Sequence, residues 1–323
     1  MTRGPAPLRH VLAVVDRDMP DAARTAADLA ARHGARLGLM AVLEPPRDAA
    51  ALAEAAGLAP DDLLDRLRED HRQHIREAVA RALPDGPAPD IHVAVGKPFV
   101  EIVRHVIAAD VDIVVKTAEP LAGAAGFLFA STDQHLVRKC PCPVWLRMPE
   151  APAVPRRVLA AVDVDDWDAA EPETLADLNR RVLDTALDLA AGPGATIHAL
   201  HAWDAAGEGM VWAFSGEGDP RLKAQGYVNR VLDTRRRALD ELLRPVRAAG
   251  GPEIVPHLVR GRTEAVIAAQ AAALDADIVV IGTVARTGLS GVIIGNTAEN
   301  ILNSLDRSVV AVKPGAFVCP LDA

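Results

Sequence analysis

The segment Gly295-Asn296-Thr297-Ala298-Glu299 is a place where residue types and spacing point to chemistry. A helix beginning there would aim free backbone N–H groups, and the positive end of its dipole, at an anion such as phosphate. The same residues also read as an ordinary helix start. Asn296 is a good cap, and Glu299 three positions later completes a capping-box pattern. An acid in that turn opposes an anion, so the capping reading is the stronger one. Thr283 and Arg286, in the loop before it, could reach a phosphate, although a solvated loop arginine is the ordinary alternative.

Other reactive residues carry weaker signals. Cys140-Pro141-Cys142 could ligate a metal or act in redox chemistry, but a single Cys-x-Cys lacks the second pair of a zinc site. It would need partners such as His105 or His135. Just before an apolar run, these thiols are better read as small packing groups. His71 and His74 lie three apart on a helical pattern, and structural histidines are the default. There is no Gly-x4-Gly-Lys-Ser/Thr loop, no Ser-His-Asp constellation and no zinc-protease helix motif. No catalytic residue and no metal site are expected, and general hydrolase chemistry has no support.

The chain has 323 residues, 50% hydrophobic but only 3% aromatic, so its cores are built from Val, Ile, Leu and Ala. A net charge of −9 gives no electrostatic reason to bind nucleic acid. The N-terminus lacks the apolar stretch of a secretory signal, and no run of about 18 apolar residues predicts a membrane span. Three cysteines, an odd and sparse set, fit a reducing cytoplasm.

The elements that position these residues come twice. Val11-Leu12-Ala13-Val14-Val15-Asp16 recurs as Val158-Leu159-Ala160-Ala161-Val162-Asp163. Gly96 matches Gly261, and Asp112-Ile113-Val114-Val115 matches Asp277-Ile278-Val279-Val280, both at an offset of 165. The first match is offset by 147, so the second half carries 18 extra residues before Gly261. The expected place for them is Trp203–Tyr227, a glycine-rich span around Met210-Val211-Trp212-Ala213-Phe214. A repeat of this size means two domains, 1–150 and 151–323, joined by a stretch with Pro149, Pro152 and Pro155.

In the first half, strands are expected at His10–Val15, Arg36–Leu43, Ile91–Val95, Val111–Val115 and Val144–Leu146. Helices fall near Asp21–His33 and Asp61–Leu83, after Pro98, and from Ser131. Leu64, Leu67, His71, Ile75, Ala78 and Val79 form the apolar stripe of the long one. The second half repeats the plan, with strands near Arg157–Val162, Thr196–His201, Ile254–Val259, Asp277–Ile281 and Ser308–Val312. Apolar runs between helical spans predict an α/β fold: two tandem Rossmann-like domains, each a five-stranded parallel sheet with helices on both faces. Ligands of such sheets sit where the strand order reverses, here between the first and fourth strands of each half. That puts Asp16 and Asp163 at the rim; a carboxylate capping a loop or helix is the plainer reading of Asp16, while for Asp163 that reading and contact with a ligand stand level.

The run Ile281-Gly282-Thr283-Val284-Ala285-Arg286-Thr287-Gly288-Leu289-Ser290, continuing to Glu299, resembles the signature loop of the universal stress proteins. So do the strand plan and the closing Val309-Val310-Ala311-Val312-Lys313-Pro314. Ser131-Thr132-Asp133 followed by Leu136 to Trp145 is similar to the tandem E-type branch. The resemblance implies an adenine nucleotide alpha hydrolase-like fold. It also implies a nucleotide held by Gly-x2-Gly-x9-Gly-Ser/Thr, with the strand-one aspartate touching the nucleotide or its metal. Here the second half keeps the spacing as Gly282, Ala285, Gly295 and Asn296. ATP is therefore the candidate cofactor of that half, with Asp163, Gly282, Thr283, Arg286, Gly295, Asn296 and Thr297 as its binding residues. The first half has Thr117, Pro120, Ala130 and Ser131 at those positions, without a glycine, and no nucleotide is expected there.

The function implied is a non-catalytic stress-response module that binds or senses a small molecule. A weak ATP-binding or ATP-hydrolysing protein is one alternative. A carrier of an apolar ligand is another, suggested by the apolar run Leu121 to Phe129. Family members tend to pair through their last strands. The two halves are thus expected to form an intramolecular pseudo-dimer with the fifth strands side by side; a homodimer of whole chains and unidentified protein partners stay open.

Overall fold

Runs of four to eight Val, Ile, Leu and Ala residues, closed by polar or glycine-containing turns, are too short for buried helices and pair as strands. The computed structural model describes residues 7–16, 20–84, 88–119, 131–165, 171–214, 216, 219–283 and 296–321. In chain order the first half contains β1 (His10–Val14), α1 (Pro20–His33), β2 (Arg36–Leu43), α2 (Ala49–Ala55), α3 (Pro60–Ala82), β3 (Asp90–Val95), α4 (Pro98–Ala108), β4 (Ile113–Thr117), α5 (Ser131–Lys139) and β5 (Val144–Arg147). The second contains β6 (Arg157–Ala161), α6 (Pro172–Leu189), β7 (Thr196–Trp203), α7 (Glu208–Ala213), α8 (Pro220–Ala248), β8 (Glu253–Arg260), α9 (Thr263–Ala273), β9 (Ile278–Gly282), α10 (Asn296–Ser304) and β10 (Ser308–Val312).

The strands form one ten-stranded sheet in the order β3-β2-β1-β4-β5-β10-β9-β6-β7-β8. Every pairing is parallel except the central one, where β5 and β10 run antiparallel with Trp145 opposite Val310. The fifth strands are thus side by side, as expected. β1 lies against β4 and β6 against β9, which sets the two points of strand-order reversal.

One apolar layer covers each face of the sheet. Val11, Ala13, Leu29, Ile75, Val158, Val182 and Leu243 belong to the first, Leu12, Val103, Leu136, Leu159, Ile267 and Leu302 to the second. Phe99, Ile102, Val103 and Val106 of α4 all point inward, at the spacing read from the sequence. The outer strands β3 and β8 are half-exposed, and Pro256 is tolerated in β8 because an edge strand leaves one side of its backbone unpaired.

Two expectations need correction. Along α3 the buried residues are Leu63, Ile75 and Val79. Leu64, Leu67 and His71 instead line a cavity of about 290 Å³, with Leu43 and Val95 at the ends of β2 and β3. The first turns of α3 run past those strand ends, so the stripe there faces a hollow rather than the sheet. The extra residues of the second half also lie elsewhere. Paired positions in β6 and β7, Arg157 and Thr196, are 39 residues apart, against 26 for His10 and Arg36 in β1 and β2. Thirteen of the eighteen therefore fall between β6 and β7; only five fall between β7 and β8, where the glycine-rich span drew attention.

Candidate functional site

Just beyond β6, the segment Asp163-Val164-Asp165 is held in place by α6. Asn179 accepts from the Asp163 N–H at 2.9 Å and donates to its carbonyl at 2.6 Å. The Asp165 N–H in turn donates to Asp163 Oδ1 at 3.1 Å, a turn characteristic of Asp. β7 brings in His201, which is 1% exposed. Its Nδ1 lies 3.8 Å from Asp163 Oδ1 and its Nε2 lies 3.7 Å from Asp165 Oδ2. From α8, Arg235 grips Asp165 with two nitrogens, Nε at 2.8 Å and Nη2 at 3.0 Å. The guanidinium also lies 5.7 Å from the centre of the Trp203 ring.

Burial alone would raise the pKa of Asp165. The neighbouring His201 and the Arg235 fork outweigh it and hold the carboxyl at about 2. Asp163, Asp165 and His201 together offer one nitrogen and two carboxylate oxygens within 4.8 Å of one another.

Of the seven residues read from the sequence as nucleotide contacts, the structure places Asp163 in this cluster. Gly282 ends β9 against α6. A Cβ there would lie 2.6 Å from Leu178 Cδ2, so helix packing already accounts for the glycine. Leu178 and Asn179 are neighbours on α6, and together they tie the ends of β9 and β6 to one helix. Thr283 is buried, and its polar groups are engaged within the protein. Its N–H and hydroxyl donate to the Val312 carbonyl at 3.0 and 3.2 Å, and the hydroxyl accepts from Lys313 at 2.5 Å. Arg286 and Gly295 lie outside the described residues, as do Ala285 and the first-half positions Pro120 and Ala130. Helix α10 starts at Asn296, and the side chains of Asn296 and Thr297, on which the capping reading rests, are not described. Glu299 pairs with Arg138 of α5, which links the two halves of the chain.

Sequence reading missed Asp165, His201, Asn179 and Arg235. The only local signal was the pair of acids two apart after a strand. His201 and Arg235 join it through β7 and α8, and Arg235 stands in the run Arg235-Arg236-Arg237 with nothing to single it out.

The first copy is built differently at both levels. By strand register Ala41 stands where His201 stands, and Asp16 is exposed. At the end of β4, Lys116 forms a 2.9 Å ion pair with the fully buried Asp133 of α5 and also pairs with Glu119. Asp133 accepts the Glu119 N–H at 3.0 Å. A carboxylate of the protein thus occupies the start of the helix that follows β4. The corresponding residues in the second copy are Ile281 and Ala298, both buried.

Lys313, 2% exposed, donates to the Val137 carbonyl of the first half as well as to Thr283. Burial brings its pKa down from 10.5 to about 7. Between pH 7 and 10 the unfolded chain therefore binds more protons at this lysine than the folded one, and stability rises with pH. Urea unfolding midpoints measured at pH 7 and pH 10 should rise more in the wild type than in Lys313→Met. Equal slopes would mean the lysine is not desolvated at the seam.

Cys140 and Cys142 are buried in the apolar layer, their sulfurs 3.6 Å apart, in keeping with the packing reading. Among the described residues no helix is long and apolar enough to cross a membrane.

The universal stress protein family profile matches this chain twice, over residues 7–146 and 156–313. Universal stress protein E of Salmonella typhi is 31% identical over 250 residues, covering 77% of this chain and 76% of that protein. The Escherichia coli K12 protein of the same name is 30% identical over 227 residues, covering 70% and 68%. Among solved structures, a functionally unknown protein from Pseudomonas aeruginosa aligns over 95% of this chain and 93% of its own, at 24% identity and a TM-score of 0.63. A universal stress protein from Archaeoglobus fulgidus aligns over 94% and 98%, at 15% identity and a TM-score of 0.57, a likeness of fold. With two matches in series and relatives matched over more than two thirds of both chains, the chain belongs to the universal stress protein family, as a tandem member similar to universal stress protein E.

Proposed function

We propose that this chain is a non-catalytic stress-response module, made of domains 1–150 and 151–323, that binds a small molecule in its second copy only. The site lies where β6 and β9 part, with Asp163 at its rim, and ATP is the first candidate ligand. The observation that carries the reading is the asymmetry between the copies. The first copy pairs Asp133, in the first turn of α5, with Lys116 of β4. The second has apolar residues there and gathers its polar groups at Asp163, Asp165 and His201 instead. The resemblance supports a nucleotide, and the three free, buried cysteines suit a cytoplasmic setting.

Thermal unfolding with ATP and Mg²⁺ tests this. A ligand of the folded state at 100 times its Kd adds about 2.7 kcal/mol of stability. The wild type should show a rising Tm with ATP, and Asp163→Ala should lose most of the rise. No shift up to millimolar ATP would remove the nucleotide. Native mass spectrometry of the same preparation distinguishes a retained nucleotide from a retained lipid. The latter would favour the apolar-carrier reading, for which the cavity beside Leu64 and Leu67 is the supporting observation.

A further inference from the structure

We propose that Asp163, Asp165 and His201 form a binding site for a divalent transition-metal ion of the zinc class, held by the protein without a nucleotide. Three features point to a cation rather than to a closed ion-pair cluster.

The first is the donor set. An imidazole and two carboxylates within 4.8 Å of one another can share one ion. Two ligands at about 2.0–2.1 Å from a tetrahedral zinc stand a little over 3 Å apart. The 3.7 Å between His201 Nε2 and Asp165 Oδ2 needs only a small closing movement. A nitrogen donor among oxygens selects zinc-like ions over magnesium or calcium, which take oxygen alone.

The second is the state of His201. Its Nε2 is fully buried and makes no hydrogen bond. A buried polar atom left this way is costly unless something else satisfies it. Its Nδ1 lies 3.3 Å from the Val162 carbonyl. That partner accepts an N–H on Nδ1 and leaves the Nε2 lone pair facing Asp165, with Asp163 beside Nδ1 at the other edge of the ring. A backbone carbonyl behind the ring is the usual way a metal-binding histidine is oriented. The Val164 N–H, 3.4 Å from Nδ1, favours the other tautomer in the absence of an ion. Metal binding at Nε2 then selects the tautomer in which Nδ1 carries the ring proton and donates it to the Val162 carbonyl.

The third is the support around the ligands. Asn179 clamps both backbone groups of Asp163, and Arg235 fixes the plane of the Asp165 carboxylate. Arg235 also brings a positive charge beside Asp165. The site belongs to the second copy alone, because Ala41 stands in place of His201 in the first. Three protein ligands leave a tetrahedral ion one further position, open to water or to a ligand.

The test uses the whole, untagged chain, stripped of metal with EDTA and free of nucleotide. Calorimetric titration with Zn²⁺ should show one equivalent bound with low-micromolar affinity or better. Co²⁺ should give the visible d–d bands of a tetrahedral site, without the near-ultraviolet charge-transfer band that thiolate ligands produce. His201→Gln and, as a near-isosteric second variant that keeps an oxygen toward Arg235, Asp165→Asn should each weaken Zn²⁺ at least as much as the roughly tenfold to hundredfold loss seen when an outer-shell partner is removed. Both should unfold cooperatively without metal. No stoichiometric Zn²⁺ binding, a thiolate signature, or equal affinity in the wild type and the folded variants would overturn the proposal. Since nucleotide is absent throughout, neither result bears on whether ATP binds.

Discussion

Asp133→Ala should destabilise the protein by about 3 kcal/mol, and Lys116→Ile combined with Asp133→Ala should recover most of that loss. The Asp133 carboxylate is fully buried, and Lys116 has only 7% of its side chain exposed. Removing one member of a buried pair leaves the other as an unpaired charge, which costs about 3–5 kcal/mol. The lower end applies here because Glu119 still reaches Lys116. Replacing both members with apolar groups removes the desolvation penalty along with the attraction and is often neutral. The second copy carries that replacement naturally, as Ile281 and Ala298. The Glu119 N–H loses its acceptor in the double variant, but Glu119 is exposed and water can take the place of Asp133. Urea unfolding of the wild type, the single and the double variant decides the matter. If the double variant is as unstable as the single, the pair contributes net stability, and apolar residues like those of the second copy do not substitute for it.

Gly282→Ala should cost about 1–3 kcal/mol, the range for forcing a methyl into a packed core. Its new Cβ would lie 2.6 Å from Leu178 Cδ2 and 2.9 Å from Cγ, and Leu178 is itself buried. Leu178→Ala alone should cost about 2–5 kcal/mol. The double variant should be more stable than the sum of the two losses predicts, by about 0.5–3 kcal/mol, since the alanine methyl then enters the space that the leucine left. Additive losses would mean that Leu178 is not what excludes a side chain at 282. The cycle also separates two roles for this glycine. If it is needed for packing, ATP affinity should return along with stability in the double variant. If a phosphate must approach its backbone, stability alone should return.

Much of this molecule was legible before its structure. The duplication, the strand segments and the inward positions of α4 follow from short apolar runs and from a 3.6-residue period, both local properties of the chain. Even the backbone repeats: Gly96 and Gly261 share a φ of 155° and 148°, values that favour glycine. The pairing of β5 with β10 came from the family resemblance rather than from any pattern in Val144–Arg147.

The candidate site was legible only at Asp163. Gly282 and Thr283 were legible as the end of β9, but their partners within the protein were not. Leu178 and Lys313 occupy them, and those contacts span 104 and 30 residues of sequence. A helix start near Asn296 was legible, whereas the partner of Glu299 is Arg138, 161 residues away. Likewise the aromatic, glycine-rich span drew the extra residues of the second half toward β7 and β8, when most of them precede β7.

By itself, then, the order of residues determined which segments are strands and helices, that the unit occurs twice, and that the first copy lacks the glycines of a phosphate loop. Those are consequences of side-chain size, backbone freedom and period along a single segment. Tertiary structure alone decided that His201, Asp165 and Arg235 meet beside Asp163, and that Asp133 meets Lys116. Charge and hydrogen bonding act through space over a few ångströms, and in a parallel sheet residues that close are separated in sequence by whole helices.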